Sequence, residues 1–192
     1  MAIGHVDIGG GLGITYTDEQ PPAADALIAA LLARIDARGH AQRKLIFEPG
    51  RSLVGNAGVL VTRVLYLKPG EVKNFCIVDA AMNDLLRPAL YQDWMHIVEC
   101  KQRSDAAAST WDVVGPVCES GDWLGHDRPL AVQAGDHLAV LSAGAYAMSM
   151  ASNYNTRGRA AEVMVSGSRA VVVRERETAA DQFRGERVWG AT

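Results

Sequence analysis

The sequence predicts an α+β chain, mostly β, in two unequal parts: an α/β piece over residues 1–52 and a β domain over residues 53–192. Three observations predict it. Near the N-terminus, apolar runs too short for anything but strands bracket a glycine cluster and a stretch of helical periodicity. From Leu53 onward, β-branched and aliphatic runs alternate with turn residues. Near the C-terminus, Ser166-Gly167-Ser168 separates two such runs, which signals a hairpin.

Residues 3–8 read as a short strand running into Gly9-Gly10-Gly11. The helix that follows has Pro21 and Pro22 suited to its first turn, with Leu27, Leu31, Leu32 and Ile35 at helical spacing. Gly39 is its natural stop. A second strand over residues 44–47 ends at Glu48-Pro49-Gly50-Arg51. This is α/β organisation, and such folds place ligand sites on the loops at strand ends. Two strands make no stable sheet by themselves, so residues 1–51 are expected to belong to something larger.

In the second part, residues 59–67 and 73–79 read as strands separated by Lys68-Pro69-Gly70. Ala134-Gly135-Asp136 supplies turn chemistry between two apolar stretches, and residues 162–165 and 170–174 form the arms of the hairpin. One or two short helices complete a mostly antiparallel domain. The charged tail from residue 175 onward is expected to end in a surface helix.

Composition excludes several classes. Hydrophobic residues at 48% and charged residues at 21% are ordinary globular values. A net charge of -3 argues against a nucleic-acid footprint and against recruitment to an anionic membrane. No apolar run reaches the roughly 18 residues of a membrane span, and MAIGHVDIGGGLG lacks the basic-then-apolar pattern of a secretory signal. Cys76, Cys100 and Cys118 are widely spaced, which suits a reducing cytoplasm rather than a disulfide framework. Without CxxC or HExxH, no zinc site is expected.

Five segments carry chemistry-bearing residues. Gly9-Gly10-Gly11-Leu12-Gly13 is either a tight turn or a loop whose N–H groups converge on an anion. It is no P-loop, since the lysine and hydroxyl are missing. Glu48 and Arg51 are either a surface ion pair or, in a cofactor pocket, a carboxylate facing a ring nitrogen and a guanidinium gripping a carboxylate. Arg87 and Tyr91, four apart, share a face of any helical turn and suit a carboxylate or phosphate, although Pro88 disturbs regular helix; a solvated charged turn is the alternative. In Gly115-Pro-Val-Cys118-Glu119-Ser-Gly-Asp122 a thiol sits beside two carboxylates. Such a thiol is a proton donor rather than a nucleophile, unless it is simply a buried, inert cysteine. Tyr146, in Gly144-Ala-Tyr146, offers a phenol among small residues, or is a core tyrosine. Together they suit a site for a phosphate, a protonated ring and a substrate carboxylate, with an acid at hand.

In order and spacing, DIGGGLGI (7–14), FEPGRSLV (47–54), DAAMNDLLRPALY (79–91), GPVCESGD (115–122) and GAYAMSMASNYN (144–155) resemble the diaminopimelate decarboxylases. These are pyridoxal 5'-phosphate (PLP) enzymes of the ornithine/diaminopimelate/arginine decarboxylase type. The resemblance runs over essentially the whole chain. It implies the C-terminal end of a (β/α)8 PLP-binding barrel followed by an alanine-racemase-like β domain, acting as a homodimer with its active site at the interface. The implied activity is decarboxylation of meso-2,6-diaminopimelate to L-lysine.

By the same resemblance, Gly9, Gly10 and Gly11 receive the cofactor phosphate, and Glu48 faces the pyridine nitrogen. Gly50 and Arg51 complete that loop, and Tyr146 contacts the cofactor. Arg51, Arg87 and Tyr91 hold substrate, Glu119 reads its distal end, and Cys118 donates a proton in the partner's site. The Schiff-base lysine of the family belongs upstream of DIGGGLGI; Lys44, Lys68, Lys73 and Lys101 have no matching context. The chain alone is therefore expected to be inactive. Related ornithine, arginine or carboxynorspermidine decarboxylases, and a non-catalytic dimerisation fragment, are the competing readings. Glu119 beside Cys118, with Arg87 nearby, favours an ammonium-plus-carboxylate distal group over a plain diamine.

Overall fold

The computed structural model describes residues 3–103 and 106–190. Strand β1 (His5–Asp7), helix α1 (Ala24–Asp36) and strand β2 (Lys44–Ile46) form a βαβ unit in which the strands pair in parallel, Val6 opposite Leu45. The alanine-rich sequence of α1 favours helix, with Asp25 in its first turn and Arg34 in its last. Leu27, Leu31 and Ile35 make its half-buried stripe. Gly39 (φ 76°) terminates the segment in the left-handed region. The prolines depart from expectation. The extended residue at the helix boundary is Ala23 (ψ 148°), so Pro21 and Pro22 lie ahead of the first turn rather than in it.

Helix α2 (Arg51–Val54) and a short 3-10 turn over Gly55–Ala57 lead into β3 (Leu60–Lys68). Strands β4 (Phe75–Val78), β5 (Ile97–Glu99), β6 (Ser109–Val114), β7 (Trp123–Leu130) and β8 (His137–Val140) follow, with helix α3 (Arg87–Tyr91) between β4 and β5. They form a six-stranded sheet in the order β5-β8-β3-β4-β6-β7. The expectation of an antiparallel domain holds for every pair except β4 and β6, which run parallel with Cys76 opposite Val113. That pairing requires a crossover, made here by the segment carrying α3 and β5. Leu85, Met95, Val78, Val113, Leu124, Leu130, Leu138 and Val140 are completely or almost completely buried in one core over this sheet.

The hairpin of β9 (Glu162–Ser166) and β10 (Arg169–Arg174) turns at Gly167 (φ 57°), where a left-handed residue is needed. Helix α4 (Ala179–Phe183) starts from a capping box between Thr178 and Asp181. It stops well before the end of the described tail, so the expected terminal surface helix is brief. Among the described residues, two short α-helices, α3 and α4, lie wholly within the second part, and α2 straddles its start.

Side-chain hydrogen bonds to Thr15 help to tie the two parts together. Asn56 Nδ2 donates to Thr15 O and to Ser142 Oγ, both at 2.8 Å, and within the second part Gly144 N–H donates to Gly55 O at 3.0 Å. A Cβ on Gly144 would fall 1.8 Å from Val54 O. Only glycine permits that approach, and two residues on, the Tyr146 ring lies 5.6 Å from the Arg51 guanidinium carbon.

Candidate active site

The end of β2 runs beside the glycine loop. Ile8 N–H donates to Ile46 O at 3.0 Å and Glu48 N–H donates to Gly9 O at 2.8 Å. Gly9 (φ 71°) and Gly11 (φ 92°) are left-handed, and a Cβ on Gly10 would sit 2.6 Å from Glu48 O. The three glycines are therefore demanded by backbone conformation and close packing together. Gly9 N–H is turned onto Asp7 Oδ1 at 2.7 Å, so Gly9 shapes the loop while Gly10 and Gly11 form the wall.

A cavity of about 300 Å³ opens between this loop and α2, lined by Gly10, Gly11, Glu48, Gly50, Arg51 and Tyr146 among others. Six of the residues singled out from the sequence thus share one hollow. Glu48 and Arg51 form no ion pair among the described residues. The surface-pair reading of these two residues has no support in the geometry.

Tyr146 is the centre of the cluster. Its φ of 61° is left-handed, an uncommon and costly conformation for a non-glycine residue. The conformation brings its ring 5.6 Å from the Arg51 guanidinium carbon and 5.2 Å from that of Arg87. Arg87 also lies 5.2 Å from the Tyr91 ring. Pro88 stands in the first turn of α3, where its missing N–H costs nothing, so Arg87 and Tyr91 do share a face. Arg87 additionally pairs with Asp93. Two guanidiniums on one phenol, with a half-open cavity beside them, make a local positive surface suited to phosphate or carboxylate.

Cys118 and Glu119 lie elsewhere, exposed, and line no part of this cavity. Glu119 Oε2 accepts from the Tyr154 hydroxyl at 3.3 Å and Oε1 from Gly121 N–H at 3.2 Å. The Glu119 charge, more than partial burial, raises the Tyr154 hydroxyl pKa. The two carboxylates of this turn differ in their settings. Asp122 is turned inward, 4% exposed, and accepts from Met82 N–H and Val117 N–H, both at 2.7 Å. Burial raises its pKa, opposed by those two N–H groups. Asp122 therefore ties the Cys118 turn to the segment bearing Arg87 and Tyr91.

Tyr154 was not singled out from the sequence, although it lies within the GAYAMSMASNYN motif. Arg157 was also missed. Its Nε donates to Asn83 Oδ1 at 2.8 Å and its Nη2 to Asp79 O at 2.5 Å, which clamps the same segment from the other side. Among the described residues no cluster of histidine, cysteine, aspartate and glutamate could hold a metal, and no helix is long and apolar enough to cross a membrane.

Residues 14–144 match the family model described as pyridoxal-dependent decarboxylase, C-terminal sheet domain. Diaminopimelate decarboxylase from Pseudomonas aeruginosa is 58% identical over 186 residues, covering 97% of this chain and 44% of the relative. The Vibrio cholerae enzyme of the same name is 57% identical over 175 residues, covering 91% and 41%. Among solved structures, diaminopimelate decarboxylase from M. jannaschii in complex with L-lysine superposes with a TM-score of 0.87 at 42% identity, over 98% of this chain and 44% of that one. The Helicobacter pylori enzyme complexed with L-lysine gives 0.81 at 40%, over 93% and 43%. The chain spans less than half the length of these relatives.

Proposed function

Because the chain belongs to the pyridoxal-dependent decarboxylase family through its C-terminal sheet domain, we propose that it supplies one side of a site that decarboxylates meso-2,6-diaminopimelate to L-lysine. The observation that carries this reading is the convergence of Gly10, Gly11, Glu48, Gly50, Arg51 and Tyr146 on one cavity, with Arg87 on the same phenol.

The fit to PLP rests on that geometry. Gly10 and Gly11 line the cavity without side chains, so their N–H groups would receive the phosphate. Glu48, unpaired with Arg51, would hold the pyridine nitrogen protonated, and Tyr146 would contact the cofactor. When bound, PLP supplies the sink for the electron pair left as carbon dioxide departs.

The chain's own groups do the rest. Arg51, Arg87 and Tyr91 grip substrate carboxylates, and bidentate geometry fixes their orientation. Glu119, held by Tyr154, takes the distal ammonium. The Cys118 thiol delivers a proton to the α-carbon that has lost its carboxylate, and its sulfur regains a proton from solvent. Cys118 and Glu119 lie away from the cavity of their own chain, which supports a homodimer whose site is completed across the interface. The parallel β1–α1–β2 unit supports reading residues 1–52 as the end of a (β/α)8 barrel and the rest as an alanine-racemase-like β domain. Three free cysteines suit a cytoplasmic setting.

Substrate competition in the complete enzyme carrying this sequence tests the reading. Diaminopimelate is expected to be decarboxylated in preference to ornithine, and Glu119→Gln to lose roughly tenfold or more in kcat/KM. Preference for ornithine would overturn the assignment.

A further inference from the structure

A second cavity, of about 800 Å³, shares no lining residue with the first. One of its walls is Arg128. This residue follows Asp127, whose φ of 53° interrupts β7. Arg128 is 5% exposed. Its guanidinium carbon lies 4.2 Å from the centroid of the Trp94 ring. Gly125 makes room for it, since a Cβ there would come within 2.5 Å of Nε.

The cation is poorly compensated. Nε is buried without a hydrogen-bond partner, and Arg128 makes no ion pair, among the described residues. Burial lowers its pKa, and the charge of Asp127 only partly opposes this. A guanidinium taken from water without a counter-charge is costly, and an anion relieves the cost.

The rest of the wall specifies what kind of anion. Val59, Trp94, Ile97 and Leu141 make it largely apolar. The cavity's one lining acid, Glu99, commits Oε1 to Ala131 N–H at 2.7 Å. We infer that this cavity binds a small organic carboxylate, its charged end on Arg128 and its apolar body against Trp94, Ile97, Val59 and Leu141. The volume is in the range of small-molecule sites, and the planar fork of arginine suits a carboxylate better than a rounder anion.

Isothermal titration of the full 192-residue chain with sodium benzoate, and in parallel with neutral benzamide, tests this. Arg51→Ala is introduced throughout to remove carboxylate capture at the first cavity. One saturable benzoate site is expected, with benzamide roughly tenfold weaker, and Arg128→Met is expected to weaken benzoate roughly tenfold while leaving benzamide unchanged. Should Arg128→Met not fold, the Trp94 indole resonance in the parent chain is followed instead, and it should shift with benzoate and not with benzamide. Equal binding of the two compounds, benzoate binding indifferent to Arg128→Met, an unmoved Trp94 signal, or no saturable binding would each overturn the inference.

Discussion

Tyr154 and Asp122 show how a residue acquires a role that spacing alone does not announce. Both stand inside quoted motifs, yet which carboxylate meets which donor depends on how the turns fold. Glu119 reaches the Tyr154 hydroxyl and Asp122 turns inward to two N–H groups. Chemistry-bearing residue types were legible in sequence; their partners were not. In the complete enzyme, Tyr154→Phe is expected to raise KM for diaminopimelate several-fold with little change in thermal stability, because the hydroxyl is exposed and orients Glu119. Steady-state kinetics beside a melting curve check this, and an unchanged KM would contradict it. Cys76 gives a pH-dependent prediction. Burial pushes its thiol up to about 12 from 9.0. The unfolded chain thus releases this proton as pH rises past 9 while the folded chain keeps it, so stability falls with rising pH over that window, by about 1 kcal/mol per unit. Urea titrations at pH 8 and pH 10 read that loss. At neutral pH, thiol reagents should modify exposed Cys100 and Cys118 and spare Cys76.

At the scale of elements, punctuation was the reliable signal. Gly39 and Gly167 fall where left-handed backbone is required, and β3 and β4 fall where the apolar runs placed them. Proline was read less well. Pro88 raised doubt about a helix that forms with it in the first turn, whereas Pro21 and Pro22 were assigned to a turn that begins after them. Strands β5, β6 and β7 went unread, since Ser109–Val114 and Trp123–Leu130 mix polar with apolar residues in no clean alternation. Their identity comes from pairing partners distant in sequence. Gly144 was noticed only as a small neighbour of Tyr146, but its contact with Val54 O fixes the whole loop. Gly144→Ala is expected to destabilise the protein by about 3 kcal/mol or more, through overpacking against backbone that cannot yield. Thermal unfolding measures it, and a loss below about 0.5 kcal/mol would contradict the account.

On the scale of the whole molecule, apolar surface is unevenly covered. The sheet buries its own core, while Val163, Met164, Val165, Val171, Val172 and Val173 of the β9–β10 hairpin, with Ile28 and Leu32 of α1, stay exposed. Surface of that kind is normally covered by further protein. The 192-residue chain should self-associate as its concentration rises, and Val163→Thr with Val172→Thr should reduce association without lowering the melting temperature; a compact monomer by light scattering would contradict this. The change of periodicity near Leu53 was legible in the sequence, and the parallel β1–β2 pair and the six-stranded sheet lie on either side of it. The joining of the two through Asn56, Thr15 and Ser142 was not legible, because it depends on three distant polar groups meeting. The central claim is that this chain provides the non-covalent side of a PLP site: loop, ring-facing acid, substrate arginines and proton donor, without the lysine. Incubating it with PLP, reducing with borohydride and weighing the intact protein tests that claim most directly. An unmodified mass is predicted; a single stoichiometric pyridoxyl adduct on Lys44, Lys68, Lys73 or Lys101 would contradict it.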